Sequence, residues 1–157
     1  MDTSSWLAAL SGFTALLSAL YARWTWGEAR KANLLALHSN RIEVFRAFNS
    51  LRQAVQEQGL SIERQHVLRF LHPSHESKFY FAEAKTSELL VQYFDTCFAL
   101  TEQANKFSRS FQVDADRQLL ESEQDKLSEQ EQSLFNEAKQ QLEKELYHAV
   151  RRKWFHF

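Results

Sequence analysis

Three glycines and a single proline are all the helix breakers in a chain of 157 residues, and that scarcity constrains the fold more than any other feature. A helix interior tolerates glycine at a cost of about 1 kcal/mol and proline at about 3 kcal/mol, so a chain this poor in both stays helical unless something else interrupts it. A loop-rich all-β sandwich needs many such residues at its turns and is excluded. So is a glycine-rich phosphate loop. The expectation is an all-α chain. One cysteine, Cys97, leaves no internal disulfide framework and no cysteine-based zinc site. Nineteen basic against twenty acidic residues leave the chain near neutral, so DNA binding through bulk charge is not expected.

From Thr3 to Ala22 the chain carries no charged residue. A helix of about 20 residues spans a ~30 Å hydrocarbon core, and Trp6, Tyr21, Trp24 and Trp26 stand where interfacial aromatic belts would lie. The run therefore predicts an N-terminal transmembrane helix over 1–26, followed by a cytosolic helical domain over 27–157. Arg23, Arg30, Lys31 and Arg41 follow the run and no Lys or Arg precedes it, which predicts the N-terminus outside and the C-terminal domain in the cytoplasm. Small residues Ala8, Ser11, Ala15, Ser18 and Ala22 recur at intervals of 3 and 4, opposite a bulky row from Trp6 to Trp24. In lipid, where apolar bulk supplies no drive for association, that small stripe is the expected oligomer interface, with a second copy of the chain as the simplest partner.

Beyond Gly27 the pattern predicts an antiparallel helical bundle. Leu34, Leu37, Arg41, Val44, Phe48, Leu51 and Val55 form a heptad seam, and Gly59 ends that helix. A short helix is expected to reach Leu71, with a turn at His72-Pro73-Ser74. A third helix covers 87–107. The polar stretch 108–127 reads as a loop or a solvated turn, and Ser128-x-x-Glu131 as a capping box that opens the last helix.

No nucleophile elbow, zinc-protease motif or acid–base pair occurs, so an enzyme is not expected. His72-x-x-His75-Glu76 lacks a second ligand cluster, and no metal or cofactor is expected. Seven basic residues against three acidic between Arg30 and Arg69 contrast with four against ten between Gln112 and Glu145. Arg41 occupies a seam position meant for an apolar residue, which predicts either a buried ion pair or an anion contact. Arg64, His66, Arg69, Lys78 and Tyr80 gather cations beside aromatic rings, a combination suited to an anionic nucleotide. The basic aromatic tail 151–155 reads either as a phosphate or headgroup contact or as a frayed basic tail with no ligand.

The membrane-type segment, then Leu35-x-Leu37-x-x-x-Arg41-x-x-Val44-Phe45-x-Ala47, Phe79-x-Phe81 and Leu90-x-x-Tyr93-Phe94, resembles small uncharacterised bacterial single-span membrane proteins with a cytosolic helical domain. The layout is also similar to membrane-anchored cyclic-oligoadenylate effectors of type III CRISPR defence. These resemblances imply a bacterial inner-membrane location. They further imply a homo-oligomeric sensor that binds a cyclic nucleotide and acts on the lipid bilayer in antiviral defence. The alternative is a membrane-tethered adaptor that docks a protein partner without a small ligand.

Overall fold

A computed structural model describes residues 3–59, 62–109 and 114–154, and every element among them is helical. Helix α1 spans Thr3–Gln58, α2 Arg64–Arg69, α3 Leu71–Tyr80, α4 Ala84–Arg109 and α5 Asp114–Trp154. Two compact units divide the chain, Met1–Ser39 and Asn40–Phe157.

The expected transmembrane helix is corrected. Among the described residues, no helix is long and apolar enough to cross a membrane. Length is not the limit in α1, which runs for 56 residues. Apolarity is: Ser11, Gly12, Thr14 and Ser18 dilute the leucines, and Arg23 closes the run. The orientation drawn from the flanking charges was an argument about that span alone.

In the N-terminal unit all described side chains from 6 to 26 are exposed, and the bulky residues Trp6, Leu10, Phe13, Leu16, Leu20 and Trp24 stand open to solvent. Its hydroxyls turn inward on their own backbone: Thr14 Oγ1 donates to the Leu10 carbonyl at 2.9 Å and Ser18 Oγ to the Thr14 carbonyl at 2.8 Å.

The second unit is a helical bundle, as expected. Val44, Phe48, Leu51 and Ala54 of α1 meet Val67 and Phe70, then Leu89, Leu90, Tyr93, Phe94 and Cys97 of α4, and Ala138 and Leu142 of α5. Phe48 is fully buried at the centre. Its ring lies 5.0 Å from Tyr93, 5.1 Å from Phe135 in a stack and 6.1 Å from Phe70. Such aromatic pairs contribute about 0.5–1.5 kcal/mol beyond the area they bury. Thr86 meets Glu145, Tyr93 meets Glu131 and Gln103 meets Glu123, so α4 and α5 run antiparallel.

Of three local expectations, one holds and two change. Gly59 ends α1 with φ at 55°, a left-handed conformation that favours glycine, in agreement with its reading as a breaker. His72-Pro73-Ser74, however, is not a turn but the opening of α3. In a helix's first turn the backbone N–H has no intrahelical partner, so proline costs nothing there. Ser128 does not cap the last helix either, because α5 begins at Asp114 and passes through it. Glu131 instead points into the core, where it is needed as a hydrogen-bond acceptor. Ser61, the N-cap type of residue nearest the start of the short helix, lies outside the described residues, as do the side chains of 148–154 and all of 155–157.

Candidate functional site

The basic residues marked by the sequence are spread over three helices, and most have structural partners. Arg41 is half-buried, and its Nε donates to the Tyr80 carbonyl at 2.6 Å while its guanidinium lies 5.8 Å from the Phe81 ring centre. Its partner is therefore neither a carboxylate nor a cluster of like charges but the exposed carbonyl end of α3, where a cation complements the negative pole of the helix. Arg64 is 3.6 Å from Glu102 and lies over Phe98 at 5.0 Å. His66 faces Glu63 at 4.0 Å, and Lys78 lies 5.0 Å from the centre of its neighbour Phe79. The Tyr80 hydroxyl donates to Glu76 at 3.4 Å. Arg69 is exposed on α2. Arg41 and Tyr80 are thus brought together through backbone, while Arg64 and His66 are engaged with acidic residues of their own.

Of the small stripe, Ser11, Ala15, Ser18 and Ala22 are exposed in the N-terminal unit, and the side chain of Ala8 lies outside the described residues. The Ser18 hydroxyl spends its proton within the helix, at Thr14.

One shallow cleft opens between α3 and α4. It holds about 290 Å³ and is lined by Ser74, His75, Lys78, Ser87, Glu88, Val91 and Gln92. Ser74 of its lining and nearby Ser77 are fully buried, each hydroxyl turned onto its own helix, and such small side chains let α3 lie close to α4. No group of three or more His, Cys, Asp or Glu side chains able to hold a metal occurs among the described residues.

The most organised polar groups are not among the candidate ligand residues of the sequence, and one of them, Glu131, stands there only as part of a capping box. Glu131 lies in the core, where its carboxylate pairs with Arg52 and accepts the Tyr93 hydroxyl at 2.7 Å. Arg52 also bonds Gln132 and stacks on Phe135 at 4.5 Å, yet its Nε is buried with no partner. Burial works against the charged guanidinium, but the Glu131 carboxylate outweighs it and raises the Arg52 pKa. Burial, then the neighbouring Cys97 and Glu131, push the Tyr93 hydroxyl far above its usual range. Burial, then the Glu131 carboxylate, push the Cys97 thiol up to about 12, so it is an inert core thiol rather than a nucleophile.

A second carboxylate does different work. Glu145 of α5 accepts the backbone N–H groups of Ala82 at 3.1 Å and Glu83 at 3.2 Å and the Thr86 hydroxyl at 2.7 Å. It therefore caps the N-terminus of α4 from a different helix, bringing negative charge to the positive pole of the helix dipole. Lys144 and Gln141 bond Glu83 beside it, and Lys85 pairs with Glu137 at 2.7 Å. Both buried glutamates stand in the apolar stripe Glu131, Leu134, Phe135, Ala138, Leu142 and Glu145. An acidic residue in an apolar stripe was the available signal, the same one that singled out Arg41.

Comparison with protein-family models, with curated proteins and with solved structures returns no match.

Proposed function

We propose that this chain acts as a binding scaffold through the exposed apolar helix of its N-terminal unit. One observation carries the proposal: Trp6, Leu7, Leu10, Phe13, Leu16, Leu17, Leu20, Tyr21, Trp24 and Trp26 lie on one continuous helical stretch, each at least 50% exposed. Contiguous apolar surface on that scale marks a contact surface rather than an ordinary solvated face. The bundle supports the same reading, since its best-ordered polar groups hold helices together instead of converging on a reacting centre. A photo-crosslinking amino acid at Leu17, in cells that carry the chain natively, should yield a macromolecular adduct that the same probe at exposed Gln65 does not. Absence of any adduct at Leu17 overturns the scaffold.

A second reading, an anionic nucleotide-type ligand, draws support from the cleft between α3 and α4, where Lys78 and His75 stand beside Ser87 and Gln92. Its volume falls near the lower end of small-molecule sites, enough for one phosphate-bearing nucleotide unit rather than a long oligomer. Titration with a fluorescent cyclic mononucleotide tests it. Saturable binding weakened about tenfold by Lys78→Ala is expected, in line with loss of one charged hydrogen bond. No saturable binding discards it.

A further inference from the structure

We infer that the N-terminal unit pairs with the same unit of a second copy of this chain, parallel and in register, through the bulky stripe Trp6, Leu10, Phe13, Leu17, Leu20 and Trp24. This inference rests on the scaffold reading and names its partner. A small-residue contact is the right expectation only inside lipid, where apolar bulk has no reason to leave its surroundings. Outside a bilayer the order reverses, because the hydrophobic effect acts in proportion to exposed apolar area. Alanine and serine offer little of it. The six bulky residues are between 50% and 69% exposed. Aromatic side chains bury about 150–250 Å² each, and with three of them beside three leucines the stripe offers apolar area on the order of the ~800 Å² per partner of a standard interface.

Three features point to a second copy rather than another surface. The stripe recurs at 4-3-4-3-4, the spacing of the core positions of a two-stranded coiled coil, so it is self-complementary as it stands. No charge interrupts it before Arg23, so like copies do not repel along its length. Arg23 and Glu28 then fall on the two flanks of the seam, five residues apart. In a parallel, in-register pair each Arg23 lies opposite Glu28 of the second copy, on both sides of the axis. Glu28 bonds Lys31 at 3.1 Å, with both side chains 59% exposed, so its carboxylate has room to accept Arg23 as well. An antiparallel pair centred on Phe13 and Leu17 loses this match, because it sets Arg23 level with Leu7. A lipid surface fits less well, since the face opposite the stripe holds Ser11, Ala15, Ser18 and Ala22 and lacks the Lys and Arg of interfacial helices.

The test uses the full-length chain. Light scattering on a size-exclusion column should give twice the 18.5 kDa chain mass, and Leu10→Glu with Leu17→Glu should return it to the single mass with the thermal melt of the bundle unchanged. Under mild oxidation Phe13→Cys should form a covalent dimer at least tenfold faster than Ala15→Cys, because only Phe13 meets its own counterpart across a parallel seam. Buried Cys97 serves as an unreactive internal control. A single-mass wild-type protein, faster crosslinking at Ala15→Cys, or capture of the monomer by phosphatidylcholine–phosphatidylglycerol vesicles would each overturn the pairing. A Leu17 photo-adduct with a different molecule would also overturn it while leaving the scaffold intact, whereas no adduct would remove both.

Discussion

Replacing Glu145 with alanine removes three hydrogen bonds at once, and the structure sets the size of the effect. The lost acceptor serves two backbone N–H groups and one hydroxyl at 2.7–3.2 Å, in a residue only 7% exposed. A hydrogen bond to a charged group contributes about 1.5–3 kcal/mol net, so simple addition overshoots for three bonds sharing one carboxylate. Ala82 and Glu83 are exposed, so water replaces part of what their amides lose. Thr86 is 1% exposed and has no such recourse. About 3 kcal/mol is the expected cost, a large share of the 5–15 kcal/mol that holds a typical domain folded. With a urea slope of about 1–3 kcal/mol/M, the midpoint should fall by roughly 1–3 M. Hydrogen exchange locates the effect: the amides of Ala82 and Glu83 should lose protection by more than the global change explains. Thr86→Val should reproduce only part of the loss seen in Glu145→Ala, because it breaks one bond of three. A midpoint shift below about 0.3 M, or unchanged protection at residues 82 and 83, would refute the cross-helix cap.

Other expectations follow from the same contacts. Glu131→Ala, which strands Arg52 in the interior, should cost about 3–5 kcal/mol, while Arg52→Met with Glu131→Leu should cost less than that single change, as measured by urea unfolding. Cys97 should resist a thiol reagent at pH 8 about a thousandfold more than an exposed cysteine, since its folded pKa stands near 12 rather than 9, and should react at once in denaturant. The sign for stability is set by the same shift: below about pH 9 both folded and unfolded states hold the proton. Above it the unfolded thiol ionises first, so stability should fall by up to about 1.4 kcal/mol per pH unit towards pH 12, and Cys97→Ala should flatten that slope. Arg41→Ala should destabilise the bundle by about 1–2 kcal/mol by leaving the α3 terminus uncapped, and Arg41→Lys should recover part of it; no loss in Arg41→Ala would remove the capping role.

Periodicity carried the reading of the bundle as far as apolar residues set the structure. Phe48, Leu51, Leu90, Tyr93, Cys97 and Leu142 recur at helical spacing and are all buried. It failed where a residue's meaning depended on a helix far away in the chain. Ser128 and Glu131 satisfy a local capping rule, but Glu131 answers to Arg52 and Tyr93, partners that no local window contains. Arg41 was recognisable as an exception in its seam, yet its partner is a backbone carbonyl, which every residue has and no sequence pattern advertises. The N-terminal segment failed for another reason. Freedom from charge and twenty residues of length suggest a membrane span, but hydroxyl and small residues lower the apolar gain below what crossing requires. The polarity of 108–127 suggests a loop or a solvated turn, whereas α5 starts at Asp114 and runs through the rest of that stretch, because polarity alone does not interrupt a helix that lacks Gly and Pro.

The two buried carboxylates of α5 act together as indexing pins. Glu131 and Glu145 stand fourteen residues apart, which is about 21 Å of helix and nearly a whole number of turns, so both project from one side. One seats on Arg52 and Tyr93, the other on the first turn of α4. A slide of α5 by a single turn, about 5.4 Å, unseats both in the same motion, and no partial slide keeps either. The helix therefore has one seat instead of a series of near-equivalent ones, although its leucines and alanines alone would tolerate several. Inserting a residue ahead of Glu131 leaves the pins aligned with each other. Inserting one between them turns Glu145 by about 100° relative to Glu131, so only one can engage. The length of the chain between the pins is therefore not free to change.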